Sequence, residues 1–344
     1  MDAPIGVLTN PRSGKNRRNP GRLTELTRAV GRHGVVRQTQ DLESLPEILD
    51  EFLDMGCRYW VVDGGDGTLH WLLSVGHRRA RERGVEVPSI VPANGGSIDF
   101  VAHKVGIRGQ AVEVIRALID HLEGGRDPAI IELDTLHVVG EASREGGTAM
   151  DQVGFASAIG GVAQRFFDKL YQRDKPIDAW AIIDVLAKSS VGGVMSTAPR
   201  PIRHFIMPGL QRYADEIFEP TRARVDVDGK VLDFDSFASL QVGSIDISLG
   251  GVVRTFRHAA DDGVLHAQAL STNRLGVVAN LPNIVMGTPI RARKVFDGPV
   301  SKISVEALPG TQLDPVVDGE VFSGQSRIEV SQGPKLRVPA VCCG

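Results

Sequence analysis

The stretch Gly64-Gly65-Asp66-Gly67-Thr68 is where residue types and spacing first suggest chemistry. It follows the apolar run Tyr59-Trp60-Val61-Val62 and leads at once into Leu69-His70-Trp71-Leu72-Leu73. Glycines at 64, 65 and 67 admit positive φ and let a ligand approach the backbone where a Cβ would block it. A helix starting there offers unpaired N–H groups and a positive dipole end, both suited to phosphate. Asp66 beside a phosphate needs a metal ion or a substrate hydroxyl between them, and Thr68 adds a hydroxyl donor. The stretch therefore reads as a nucleotide-phosphate cradle with a carboxylate for metal or proton handling. The plainer alternative is a tight strand-to-helix turn with an N-capping Asp. Far downstream, Asp318-Gly319-Glu320 supplies two more carboxylates, although by itself it reads as a hairpin turn.

The elements that must position these residues alternate in the manner of a parallel α/β domain. Residues 5–10 read as a buried strand, 21–34 as a helix with Leu23, Leu26 and Val30 on one stripe, and 35–40 as a second strand. A second helix ends at Gly56. The run 59–65 is apolar until Asp63, which suits a strand covered on both faces. A third helix and a fourth strand (87–94) follow. Strand–helix alternation with short connections predicts a doubly wound, Rossmann-like sheet. In such a sheet, loops at the carboxyl ends of strands line the ligand crevice. Asn10-Pro11-Arg12-Ser13-Gly14-Lys15, after the first strand, and Gly95-Gly96-Ser97, after the fourth, would then join Gly64–Thr68. Lys15 reads equally as a solvated lysine or as a phosphate contact.

After about residue 130 the texture becomes strand-like. Residues 129–140 and 148–160 read as antiparallel strands, and 162–190 as a helical insertion broken at Pro176. The segment Val225–Phe234 reads as a hairpin turning at Asp228-Gly229. The domains expected are 1–130, α/β and nucleotide-binding, and 131–344, β-rich, with the C-terminal end free to return to the first.

Composition narrows the function. The 344 residues carry a formal net charge of −3, which argues against a nucleic-acid partner. Three cysteines, Cys57 and the adjacent Cys342-Cys343, make neither a disulfide framework nor a spaced metal site, so a reducing compartment is the default. No signal peptide and no run of about 20 apolar residues is present, so a cytoplasmic protein without a transmembrane segment is expected. Peripheral attachment at the inner membrane surface and a homodimer both remain open. The aromatic-basic insertion, and the basic-apolar segment 196–212, could rest on such a surface; packing of the insertion on its own sheet is the favoured alternative.

The motifs together resemble the diacylglycerol kinase catalytic family, which includes bacterial lipid kinases, sphingosine kinases and ceramide kinases. The resemblance rests on NPRSGK (10–15), GGDGT (64–68), GGSIDFVA (95–102), IELDTLHV (131–138), VGFASAIG (153–160), AADDGVLHA (259–267) and VVDGEVF (316–322). It implies a nucleotide-binding α/β domain, a β-sandwich, and an active site in the cleft between them. It also implies ATP and Mg2+ as cofactors and transfer of the γ-phosphate to a lipid hydroxyl. Carried over by motif, Asn10 to Lys15, Gly64 to Thr68 and Gly95 to Ser97 would hold ATP, with Thr39 as a weaker contact. Asp66, Asp318 and Glu320 would be catalytic, with Asp66 or Glu320 as the base, and Asp262 with the Val264 carbonyl would hold a structural Mg2+. The chain departs from the family at His70 and Trp71, where many members have Asn-Glu. It departs again at Gly96 and Ile98, usually Thr and Asn, and at Ala259, which is no metal ligand. Two other readings stand beside this one: a soluble-substrate kinase of the NAD kinase type, and a catalytically silent lipid- or nucleotide-binding protein.

Overall fold

The computed structural model describes residues 4–96, 99–143, 146–171, 179–195, 208–249 and 253–341. Two compact units share the chain: Met1–Leu133 with Lys335–Gly344, and Asp134–Pro334.

In the first unit, strands β1 (Ile5–Thr9), β2 (Gly34–Gln38), β3 (Tyr59–Asp63) and β4 (Ser89–Pro92) form a parallel sheet in the order β2-β1-β3-β4. Every residue of β1, β3 and β4 is buried, as continuous apolar strands covered by helices must be. The helices are α1 (Arg22–Val30), α2 (Leu45–Asp54), α3 (Asp66–Arg83), α4 (Phe100–Lys104) and α5 (Ala111–Glu123), with α1 packed on α5 and α2 on α3. The chain steps outward from β1 to β2, then crosses back to β3, so the topological switch point lies between β1 and β3. Thr9 and Asp63 pair at the carboxyl ends of those two strands.

The segment read as one strand over 129–140 is two. Strand β5 (Ile130–Leu133) pairs with the last strand, β21 (Leu336–Pro339), in the first unit, whereas β6 (Leu136–Ala142) belongs to the second. The break falls at Asp134-Thr135, both buried, and the Asp134 carboxylate accepts the Gly263 N–H at 2.6 Å.

The second unit is a sandwich-like pair of antiparallel sheets. Strands β7 (Met150–Gly154), β9 (Thr221–Val227), β10 (Lys230–Val231), β17 (Lys302–Ala307) and β20 (Gln325–Gln332) join β6 in the order β10-β9-β17-β20-β6-β7. Strands β8 (Ala156–Gly161), β12 (Ser239–Gly243), β15 (Leu265–Ser271), β16 (Lys294–Val300), β18 (Val316–Val317) and β19 (Glu320–Val321) run in the order β16-β15-β12-β8-β18-β19. The short β11 (Ser236–Phe237) pairs with β9, and β13 (Ile247–Leu249) pairs with β14 (Val253–Thr255). Alternation sends Val225, Ile303 and Val330 from one sheet and Leu240, Ala267 and Val317 from the other into one core. The hairpin at Asp228-Gly229 forms with φ of 50° and 83°, the two left-handed residues its turn requires.

The helical insertion comprises α6 (Val162–Tyr171), α7 (Ala179–Met195) and α8 (Pro208–Ile217); Pro176 and residues 196–207 lie outside the described residues. Helix α6 packs on β8 and β12, and α7 packs on α8 and on α9 (Arg274–Met286). This leaves Trp180, 76% exposed, with Ile183, Val191 and Val194 along the outward stripe of α7. Among the described residues no helix is long and apolar enough to cross a membrane.

Candidate active site

Three loops at the carboxyl edge of the parallel sheet are bonded into one structure. Asn10 begins the loop after β1. Its side-chain oxygen accepts the Arg12 N–H at 2.9 Å, and its side-chain amide donates to Thr68 Oγ1 at 2.9 Å. The loop after β4 meets the loop after β3 backbone to backbone, with the Gly95 N–H donating to the Gly64 carbonyl at 3.1 Å. Asp99, buried and left-handed (φ 52°), accepts the Gly96 N–H at 2.8 Å and the Lys15 ammonium at 3.2 Å. Lys15 also donates to the Asn94 carbonyl at 2.8 Å, so the first and fourth loops are clasped together.

The glycines of the central loop serve this contact. A Cβ on Gly95 would lie 2.7 Å from Gly64 N, and one on Gly96 would lie 2.4 Å from Gly65 Cα. The expectation of positive φ is corrected here: Gly64, Gly65 and Gly67 are all outside that region, and Gly65 is extended (φ −92°, ψ −173°). At Gly65 the neighbouring loop's backbone requires glycine, with Gly96 Cα 3.0 Å from where a Cβ would lie, and at Gly64 the Thr68 side chain does, at 2.5 Å; neither is a left-handed turn. The N-capping Asp is corrected too, because Gly65 occupies the cap and Asp66 is the first residue of α3.

Gly65 has no side chain with which to cap α3, and the amides of Gly67 and Thr68 have no partner among the described residues. Those donors, with the helix dipole, are what an anion would meet. The Asp66 carboxylate accepts the Phe100 N–H at 3.0 Å, which links the start of α3 to the start of α4. Thr39 sits beside Thr9, its N–H donating to the Thr9 carbonyl, but its hydroxyl turns into its own loop to the Asp41 carbonyl at 2.7 Å. Ser97 and Ile98 lie outside the described residues. His70 is buried and Trp71, half-buried, packs edge-on against it at 5.3 Å, so the first residue of the departure after GGDGT lies inside this unit.

Sequence reasoning passed over four residues that hold the loops: Asn16, Arg22, Asp63 and Asp99. Asp63 is fully buried and paired with Arg22 at 2.7 Å. Hydrogen bonding to Asp63 raises the pKa of the Arg22 guanidinium, against the opposing effect of burial. The available signal was a carboxylate ending an otherwise apolar strand.

In the second unit, Asp318-Gly319 forms the turn between β18 and β19, with φ of 48° and 96°. The Asp318 carboxylate accepts the Phe155 and Ala156 N–H groups at 3.0 and 2.9 Å, which ties the DGE hairpin to the junction of β7 and β8. A Cβ on Gly154 would lie 2.5 Å from Asp318 Oδ2, so glycine there admits the carboxylate. The Glu320 carboxylate, half-buried, makes no hydrogen bond or ion pair with the described residues. Asp262 is exposed in the loop before β15, and Gly263 between it and Val264 is held by Asp134. Among the described residues no group of three or more His, Cys, Asp or Glu gathers that could hold a metal.

A parallel α/β unit with glycine loops converging on a helix N-terminus is an arrangement suited to phosphate. Residues 4–127, which carry the NPRSGK, GGDGT and GGSIDFVA motifs, match the family described as the diacylglycerol kinase catalytic domain, and the match supports kinase chemistry. Among solved structures, a candidate diacylglycerol kinase from Bacillus anthracis str. Sterne superposes with a TM-score of 0.61 at 16% identity, covering 98% of each chain. Another from the same organism gives a TM-score of 0.58 at 14% identity, covering 98% of this chain and 99% of that one. At these identities the likeness establishes the two-domain fold. No curated protein matches the sequence.

Proposed function

We propose that the protein is an ATP-dependent lipid kinase that transfers the γ-phosphate of ATP to a lipid hydroxyl. The observation that carries this reading is the uncapped start of α3, with three loops bonded around it at the switch point of the sheet. The amides of Gly67 and Thr68 and the Lys15 ammonium are the groups that would bind phosphate oxygens. Magnesium arriving with ATP needs only one or two protein carboxylates beside phosphate oxygens and water. Asp66 is the carboxylate at that place, and the ion would neutralise phosphate charge.

Phosphoryl transfer asks the protein mainly for placement and charge stabilisation, plus a base for the acceptor proton. Glu320 fits the base better than Asp318, whose oxygens are committed to the Phe155 and Ala156 amides. Asp318 then acts by positioning Glu320. The acceptor is a lipid met at a membrane surface, and the outward apolar stripe of α7 supports that contact.

The test is transfer from labelled ATP to diacylglycerol, ceramide and sphingoid bases in mixed micelles, with Asp66→Asn as the control. Transfer to one lipid class, abolished by Asp66→Asn, is the expected result. ATP binding without transfer to any lipid would sink the lipid-kinase reading in favour of a soluble acceptor or a silent binder.

A further inference from the structure

Asp63 immediately precedes the glycines, and the transfer chemistry leaves it without a task. Its buried carboxylate takes four hydrogen bonds: from Arg22 Nη2 at 2.7 Å, Arg22 Nε at 3.0 Å, Thr9 Oγ1 at 2.7 Å and Asn16 Nδ2 at 3.0 Å. Its carbonyl oxygen takes two more, from the Asn10 N–H at 3.0 Å and Asn16 Nδ2 at 2.9 Å. The donors come from the end of β1, from the loop after it and from the first residue of α1. One residue at the tip of β3 thus gathers everything that follows β1.

A buried ion pair is a poor device for stability, because desolvating both charges offsets their attraction and apolar residues of similar volume serve as well or better. What the pair adds is geometry. The Arg22 fork grips both carboxylate oxygens, and Thr9 and Asn16 fix the remaining directions.

We propose that the Asp63–Arg22 pair positions the phosphate site, holding the first loop against the tip of β3 so that Asn10 meets Thr68 and the opening turn of α3 has a fixed place. This rests on the nucleotide reading of the site. Neither residue touches ATP; both act through Asn10 and Asn16.

Equilibrium dialysis with labelled ATP, beside thermal unfolding, tests the idea on wild type, Asp63→Asn, Arg22→Met and the double variant. Each single change leaves a buried group unpaired, so both Tm and ATP affinity fall. The double variant removes both charges. Its Tm returns toward wild type while its Kd for ATP stays raised, roughly tenfold or more. In the transfer assay the KM for ATP rises with it and the KM for lipid does not. A double variant that regains wild-type ATP affinity together with its Tm overturns the proposal, because the pair would then be a fixture of the fold alone. Should the double variant fail to fold, Arg22→Lys carries the test. It keeps the charge and loses the fork, so ATP affinity should fall with the circular dichroism unchanged, and unchanged affinity overturns the proposal. Wild-type protein that binds no ATP overturns the nucleotide reading and this inference with it.

Discussion

Gly96→Ala adds one methyl group at the contact between the third- and fourth-strand loops. The new Cβ would sit 2.4 Å from Gly65 Cα and 2.6 Å from Asp99 Oδ1, where ordinary contact begins at 3.4 Å. The loops must therefore part by about 1 Å, since neither neighbour can swing aside. Gly65 Cα is backbone at the cap of α3, and the Asp99 carboxylate is held by the Gly96 N–H and by Lys15. Overpacking of this kind costs about 1–3 kcal/mol of stability. For a domain of this size that lowers Tm by roughly 2–10 °C. The same 1 Å at a phosphate-binding turn costs about 100-fold in kcat/KM. Gly106→Ala is the matched control. Its φ is 79° with no atom within 4 Å of the added Cβ, so it pays only the left-handed strain of about 1–2 kcal/mol. Thermal unfolding and kcat/KM for ATP, measured on both variants, should show similar losses of Tm but a loss of activity in Gly96→Ala alone. The reasoning is refuted if Gly96→Ala keeps wild-type kcat/KM, or if both variants lose activity in proportion to their stability.

Other consequences can be measured on the same material. Glu320→Gln should leave Tm within about 1–2 °C of wild type and lower kcat at least roughly 100-fold. Asp318→Ala should instead cost about 1–3 kcal/mol of stability, because the Phe155 and Ala156 N–H groups would lose their acceptor; equal Tm losses in the two variants would contradict the division of roles. Burial pushes the Cys57 thiol up to about 11, with the Glu51 charge adding to it. The folded chain therefore keeps a proton that the unfolded chain releases from about pH 9, and stability should be flat below that pH and fall by on the order of 2–3 kcal/mol between about pH 9 and 11. Denaturant unfolding across this range should show the fall, and Cys57→Ala should flatten it. Trp180→Ser should lower cosedimentation with diacylglycerol-containing phosphatidylcholine vesicles by about tenfold, while transfer to a dispersed short-chain acceptor stays unchanged.

The parts of the fold legible in the sequence are those fixed by local physics. Strands β1 and β3 announce themselves because a strand buried on both faces is an almost unbroken apolar run, and the Asp228-Gly229 hairpin because few residues tolerate two successive positive φ values. The return of β21 to β5 has no such mark, since pairing across more than 200 residues, as of Leu336 with Leu133, is decided by which edge is left open. Asp63 and Arg22 are 41 residues apart, and each alone looks ordinary: an acid ending a strand, a base starting a helix.

The glycines show the limit most clearly. A missing Cβ says that something approaches the backbone, and the sequence does not say what. Here Gly64 and Gly65 receive Gly95 and Gly96, so two Gly-Gly pairs at the ends of adjacent strands are the halves of one contact. That pairing was the readable signal, and it changes the meaning of Gly96, which stands where the family usually has Thr. A side chain at that position has no room against Gly65 in this arrangement. Gly96 is therefore best explained by the packing of the two loops, and its departure from the family pattern is not by itself a sign of lost catalysis.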